Sequence, residues 1–271
     1  MKIELNKIIF GEDSPFVLIA GPCVVENKEI TFEVAERVKE ITQRLNIPYV
    51  FKSSYKKANR TSINSFSTLG IRESLKIMSD IKAEFNLPIL TDIHTPEEIK
   101  QAANVADILQ IPAFLCRQTD LLIAAGESGK IINIKKGQFL APEDMEHAIN
   151  KVKSTGNNKI LLTERGTTFG YHNLVVDMRS LVIMRALNYP VVMDATHSVQ
   201  MPSNTDTSGG NPEFIKPLAK AAAAVGIDSL FLEVHPDPKN AKSDAGSQLN
   251  INELEDLLVI VQKIDKAVKN Y

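Results

Sequence analysis

The stretch Phe51-Lys-Ser-Ser-Tyr-Lys-Lys-Ala-Asn-Arg-Thr-Ser62 sets Lys52, Lys56, Lys57 and Arg60 among the hydroxyls of Ser53, Ser54, Thr61 and Ser62, with no acidic residue. It follows the apolar run Ile47-Pro-Tyr-Val-Phe51. Ammonium groups, a guanidinium fork and hydroxyls together suit the oxygens of phosphates and carboxylates. A solvated basic loop has the same composition, so the reading depends on what other segments bring to the same place. A second set of residues has different chemistry. Cys23, His197, Glu233 and Asp244 offer a thiolate, an imidazole and carboxylates, a donor set for Zn²⁺ or Fe²⁺ that the carboxylates extend to Mn²⁺. Taken singly, each has a plainer use: the cysteine as a small buried hydrophobe, the histidine as a satisfied core residue, the carboxylates as partners for nearby lysines.

The bulk of the chain narrows the partners. Its 271 residues, 44% hydrophobic and 24% charged, are those of a globular protein large enough to bury one sizeable core. A net charge of −2 argues against a nucleic-acid or acidic membrane partner, yet a local positive site on such a protein still steers small anions. Two cysteines, Cys23 and Cys116, make no disulfide framework and no zinc-finger spacing, so free thiols in a reducing cytoplasm are expected. Met1-Lys-Ile-Glu-Leu-Asn-Lys7 carries both signs of charge, unlike a signal peptide. No apolar run reaches the roughly 18 residues of a membrane span.

The elements that must position these residues follow a regular beat. Short apolar runs at Phe16–Ala20, Tyr49–Phe51, Pro88–Thr91, Asp107–Ile111, Ile131–Ile134, Lys159–Thr163, Val191–Asp194 and Ser229–Glu233 read as strands. Helical spacing follows each: Glu29–Leu45, Ile71–Phe85, a helix opening at Thr95-Pro96, Gln118–Ser128, one opening at Ala141-Pro142, Asp177–Leu187, Asn211-Pro212 through Val225, and Ile251–Val268. Eight strand–helix units predict a closed (β/α)₈ TIM barrel, α/β in class, as one domain over residues 1–271. Residues 1–12, with Ile3, Leu5 and Ile8-Ile-Phe10 around Asn6-Lys7, read as a β-hairpin cap. An open doubly wound sheet is the alternative, but Gly21-Pro-Cys-Val lacks its glycine-rich fingerprint.

A barrel builds its site at the C-terminal ends of its strands. Those ends carry Cys23, Lys52, Asp92 with His94, Gln110 with Arg117 beyond, Lys135, Arg165, His197, and Glu233 with Asp244 beyond. Lys52, Lys57, Arg60, Arg117, Lys135 and Arg165 around one mouth imply at least two anionic groups, phosphates above all. Cys23, His197, Glu233 and Asp244 come from strands one, seven and eight, which closure makes neighbours. Cys116 has no such company and reads as structural, and His147 and His172 need no role. His235 follows Glu233 by two and in a strand would face the same way, but Pro236 predicts a loop there, so it reads as a supporting residue at best. The polar loops Ser203–Gly210 and Asp237–Asn250 read as candidate lids.

The residues Ala20-Gly-Pro-Cys23, Phe51-Lys-Ser-Ser54, Lys57-Ala-Asn-Arg60, Thr91-Asp-Ile-His94, Gln110-Ile-Pro-Ala-Phe-Leu-Cys-Arg-Gln-Thr-Asp120, Asn133-Ile-Lys-Lys136, Glu164-Arg-Gly166, Phe169-Gly-Tyr171, Asp194-Ala-Thr-His197 and Glu233-Val-His-Pro236 resemble those of the 3-deoxy-D-manno-octulosonate 8-phosphate synthases. The resemblance runs from about Phe16 to the end. The related 3-deoxy-D-arabino-heptulosonate 7-phosphate (DAHP) synthases, which use erythrose 4-phosphate, are the near alternative. They usually carry Lys-Pro-Arg-Thr-Ser where this chain has Lys57-Ala-Asn-Arg-Thr-Ser62. A non-catalytic phosphosugar-binding barrel is the distant one.

The resemblance implies condensation of phosphoenolpyruvate (PEP) with arabinose 5-phosphate, in lipopolysaccharide biosynthesis. It implies that Lys52, Ser54, Lys57, Gln110, Ala113, Lys135 and Arg165 bind PEP, that Asn59, Arg60 and Thr61 bind the pentose phosphate, and that Asp92 belongs to the substrate site. Phe114 and Arg117 are expected to reach a neighbouring subunit's site in a homotetramer. Lys135, Arg165, His197 and Asp244 are the expected catalytic set. Cys23, where a metal-independent branch has Asn, points to the metal-dependent branch, with His197, Glu233 and Asp244 as the other ligands. Lys56, where relatives often have Asp, has no assigned role.

Overall fold

A computed structural model describes residues 1–11, 13–58, 65–201 and 209–269. Eight parallel strands pair in chain order: Val17–Gly21, Tyr49–Lys52, Ile89–Asp92, Ile108–Ile111, Ile131–Lys135, Ile160–Glu164, Val191–Asp194 and Ser229–His235. The last pairs with both the seventh and the first, closing the barrel. Around it lie α1 (Lys28–Leu45), α2 (Ile71–Phe85), α3 (Pro96–Ala103), α4 (Thr119–Glu127), α5 (Met145–Lys153), α6 (Arg179–Ala186), α7 (Ile215–Val225) and α8 (Leu254–Lys269). The openings expected at Ala141, Asn211 and Ile251 are single 3₁₀ turns, with α5, α7 and α8 beginning after them.

Three helix-to-strand joints use one local device. Asn46-Ile-Pro48, Asn86-Leu-Pro88 and Asn188-Tyr-Pro190 each stop a helix with asparagine in the left-handed region, at φ 54°, 53° and 68°. Asparagine tolerates that conformation, and proline beyond it cannot continue a helix. The middle residues Ile47, Leu87 and Tyr189 are buried. Each proline's carbonyl then accepts from the neighbouring strand: Leu18 N to Pro48 O at 2.8 Å, Phe51 N to Pro88 O at 2.9 Å, and Leu162 N to Pro190 O at 3.0 Å. A residue with no N–H to give thus opens the strand through its acceptor alone.

The barrel interior is layered by the two-residue period of its strands. Val17, Ile19, Val50, Leu90, Ile108, Ile131, Leu161, Val192 and Phe231 fill its lower part, and Ile3 and Phe10 of the N-terminal hairpin (Ile3–Leu5 paired with Ile8–Phe10) plug the base. The intervening residues, such as Leu18, Phe51, Leu109 and Ile132, face the helices. One or two steps further along the interior face, the residues turn polar: Lys52, Asp92, Gln110, Asn133 with Lys135, Thr163, Asp194 and Glu233, all buried. Apolar packing below and ionisable groups above give the barrel one polar, charged end.

Gly21 is needed where strands one and two approach. A β-carbon there would lie 2.0 Å from the Lys52 carbonyl oxygen. Both sides are backbone, so nothing soft can yield. Gly21→Ala is expected to lose about 4 kcal/mol or more of stability. Urea unfolding checks this, and a midpoint within about 0.3 M of wild type would contradict it.

Candidate active site

The polar end of the barrel opens into a cavity of about 240 Å³, lined by Lys52, Lys57, Asp92, His94, Gln110, Ala113, Phe114, Lys135, Arg165 and His197, with Ala58, Pro112, Leu115 and Gln138. Lys52 and Lys135 leave strands two and five and stand over the Phe231 ring, their ammonium nitrogens 5.3 and 4.1 Å from its centroid. A desolvated cation over an aromatic face is partly compensated and still open to an anion above. Burial pushes the Lys135 ammonium below its ordinary pKa, against the pull of Asp194. Burial likewise lowers the Arg165 guanidinium. Arg165 gives one nitrogen to Gln200 Oε1 at 2.6 Å. Its Nη1 is buried with no hydrogen-bond partner among the described residues. An unmatched buried donor beside two desolvated ammonium groups is a site shaped for a small anion.

Two supports set these groups. Glu164 Oε1 accepts the backbone N–H of Arg165 at 2.9 Å and of Gly166 at 2.6 Å, and Ser180 Oγ donates to its other oxygen. Gly166 takes φ 93° in that turn, a conformation glycine adopts without penalty. Below Gln110, Thr163 Oγ1 donates to Asn133 Oδ1 at 2.6 Å and Asn133 Nδ2 to Gln110 Oε1 at 2.9 Å. The chain fixes the Gln110 amide and leaves its N–H groups for the cavity.

Against one side of the cavity lie Cys23, Glu233 and Asp244, whose ligand atoms fall within 4.8 Å of one another. Cys23 Sγ donates to Asp244 Oδ2 at 3.3 Å. His197 Nε2 is 3.6 Å from Glu233 Oε1 and 3.8 Å from Asp244 Oδ2. Asp244 sits at φ 48°, a strained conformation that aspartate tolerates better than most residues. Burial and then the Glu233 charge push the Cys23 thiol well above its ordinary pKa. Burial would raise the Glu233 carboxyl too, but His197, Lys52, Lys57 and Lys135 outweigh it and hold the group ionised. Lys52 takes Glu233 Oε1 at 2.5 Å, while Oε2 is buried without a hydrogen-bond partner among the described residues. That orphaned carboxylate oxygen, next to a thiol, a second carboxylate and an imidazole, fits a divalent cation.

Asp194 links the two halves of the site. Its Oδ2 accepts from Lys135 Nζ at 2.5 Å and lies 2.8 Å from His197 Nδ1. Its Oδ1 accepts from Thr196 N, Thr196 Oγ1 and His197 N at 3.2, 3.0 and 2.9 Å. A carboxylate on Nδ1 fixes the ring and leaves Nε2 directed at Glu233 and Asp244. Burial would raise the Asp194 carboxyl, yet His197 and Lys135 hold it well below the ordinary range. Its position could have been read from the interior period, since it lies two residues beyond Val192.

The expected residues separate as follows. Lys52, Lys57, Asp92, Gln110, Ala113, Phe114, Lys135, Arg165 and His197 share the cavity. Ser54 is buried beneath it, donating to Asp92 at 2.7 Å. Arg117 is exposed and lines a separate surface pocket with His147 and Lys151. Asn59, Arg60 and Thr61, and most of the expected lid Ser203–Gly210, lie outside the described residues. In the Asp237–Asn250 segment, a 3₁₀ turn at Pro238–Asn240 is followed by Leu249–Asn250, which pairs with strand eight. His235 is not in a loop: strand eight runs through it, and it is buried with Nε2 3.6 Å from Glu26 Oε1. Glu26 also accepts the Lys242 N–H at 3.0 Å, tying down the loop that carries Asp244. Lys56 is not an idle charge, because it pairs with Glu98. No signal in the sequence joined those two.

A closed parallel barrel with a cation-lined cavity at the strands' C-terminal ends is the architecture of an enzyme for small anionic substrates. The chain matches the DAHP synthetase I family over residues 1–270 and belongs to it. It is 54% identical over 269 residues to the 2-dehydro-3-deoxyphosphooctonate aldolase of Fusobacterium nucleatum, covering 99% of this chain and 97% of that protein. Proteins of the same description from Geotalea uraniireducens and Rickettsia canadensis are each 52% identical, over 99% and 98% of both chains respectively. Among the described residues no helix is long and apolar enough to cross a membrane.

Proposed function

We propose that the chain is a 3-deoxy-D-manno-octulosonate 8-phosphate synthase, condensing PEP with D-arabinose 5-phosphate and water to give the eight-carbon sugar acid phosphate and inorganic phosphate. The observation that carries this reading is the buried trio Lys52, Lys135 and Arg165, with its unmatched guanidinium nitrogen, in the one cavity beside Cys23, Glu233, Asp244 and His197. The full-length likeness to the octulosonate aldolases selects it over a DAHP synthase and over a barrel that only binds.

In this reading C3 of PEP attacks the aldehyde carbon of the pentose phosphate, and water adds to the electron-poor C2. The hemiketal phosphate collapses with cleavage of the C2–O bond, and phosphate leaves. Lys135 and Arg165 hold the PEP anions and the charge that develops on them. Lys52, Lys57 and the Gln110 amide complete that wall, while Asn59, Arg60 and Thr61 take the sugar phosphate. Cys23, His197, Glu233 and Asp244 would hold a divalent ion, Zn²⁺, Fe²⁺ or Mn²⁺. When bound, it would supply orientation and electrostatic stabilisation of developing oxyanion charge. Phe114, 56% exposed at the cavity rim, and Arg117 face outward as they would if a neighbouring subunit completed the site in a homotetramer. A cytoplasmic location fits the two free thiols.

The sugar distinguishes this reading from its near relative. Turnover with arabinose 5-phosphate is expected to exceed that with erythrose 4-phosphate at least about 100-fold in kcat/KM, an achievable discrimination for lost polar contacts. Phosphate release measured with each sugar checks it, and preference for the four-carbon sugar would overturn the assignment.

A further inference from the structure

One polar cluster is left over by the site as described. Glu98 lies in the first turn of α3, with its side chain largely buried. Tyr55 donates its hydroxyl to Glu98 Oε2 at 2.7 Å, Lys56 pairs with Oε1, and the His94 backbone N–H reaches Oε2 at 3.3 Å. One carboxylate therefore binds the loop after strand two and the loop after strand three, which are adjacent walls of the cavity.

The side chains of the first loop divide around this anchor. Ser54 turns inward onto Asp92, and Tyr55 and Lys56 turn away onto Glu98. Lys57 turns inward again to line the cavity, its ammonium 3.7 Å from Glu233 Oε1. The far edge is pinned as well: Thr68 Oγ1 donates to Tyr55 O at 2.6 Å and Lys57 N to Ser67 O at 2.9 Å. Tyr55 is fully buried and Lys56 is paired, so the two residues before Lys57 are held while Lys57 points into the cavity. Releasing Glu98 frees the pair that sets that direction.

We propose that Glu98 is a positioning residue, which holds Tyr55 and Lys56 against α3 so that Lys57 is presented to the anionic substrate in the cavity. The assignment rests on the reading that this cavity takes PEP. It also gives Lys56 a purpose in this chain.

The test is PEP binding by titration calorimetry, without the sugar, in a double-mutant cycle. Glu98→Ala is expected to weaken PEP about tenfold in the wild-type background and less than about twofold in Lys57→Ala, because a residue acting through Lys57 has nothing left to position. A purely structural role would lower the melting temperature in both backgrounds and weaken PEP equally in both. Should Glu98→Ala not fold, Glu98→Gln and Lys56→Met carry the same cycle, with about threefold losses that vanish without Lys57. A wild type that takes up no PEP overturns the functional reading and this assignment together. A wild type that binds PEP, with equal losses in both backgrounds or none in either, overturns the Glu98 assignment alone.

Discussion

Stripping the protein of divalent metal is expected to lower turnover at least about 100-fold, with recovery on adding back Zn²⁺, Fe²⁺ or Mn²⁺. The expectation comes from the state of the ligand cluster. Glu233 is held ionised by His197, Lys52, Lys57 and Lys135 against the effect of its own burial, yet one of its oxygens has no hydrogen-bond partner among the described residues. The Cys23 thiol is pushed up by burial and by Glu233 despite the opposing pull of Lys57 and Lys52, so a divalent cation beside it would favour its thiolate further. These are groups arranged at a cost that a bound divalent ion would offset. Cys23→Asn gives the matching check: metal content should fall to background, and whatever turnover survives should no longer respond to a chelator. Full activity of the wild type after exhaustive chelation, verified by elemental analysis, would remove the four-ligand site.

Asp194→Asn is expected to lower kcat about 100-fold while leaving a folded protein. Asp194 takes five donors, and Lys135 and His197 Nδ1 share one of its oxygens. In asparagine, one orientation puts an amide N–H₂ against Lys135 and His197, and the other puts it against the Thr196 and His197 backbone groups. Either way donor meets donor, and the neutral side chain leaves the buried Lys135 without its counter-charge. Both halves of the site should suffer at once, with weaker PEP binding through Lys135 and lower metal affinity through His197. Steady-state kinetics and metal competition measure the two. A loss confined to thermal stability would mean that Asp194 is only a structural hub.

Much of this arrangement is visible in the sequence because the strands alternate. Seven of the eight barrel strands carry an apolar residue inside and, two or four positions on, a polar one, as in Val50 then Lys52, Ile108 then Gln110, Ile131 then Asn133 and Lys135, and Phe231 then Glu233; strand one, Val17–Gly21, stays apolar. The eight units, the closure and the gathering of Cys23, His197, Glu233 and Asp244 follow from that beat. What pairs with what is less legible. Lys52 reads as a free cation beside a basic loop, but its ammonium is buried on Glu233, a residue 181 positions away. Lys56 and Glu98 sit in different units, and only packing against α3 brings them together. Pro236 suggests a loop at His235. The strand continues through it because a proline at a strand's end gives up one N–H and no more. The three Asn–apolar–Pro joints need the backbone to be seen, since nothing in their composition states which strand will take the proline's carbonyl.

The proposed activity joins PEP to a pentose phosphate. Phosphate release by the purified, metal-loaded protein tests it most directly, with PEP alone, arabinose 5-phosphate alone, and both together. Release only with both substrates is predicted, matched mole for mole by an eight-carbon 3-deoxy sugar acid phosphate. No release with both substrates present, or equal release from PEP alone, would contradict it.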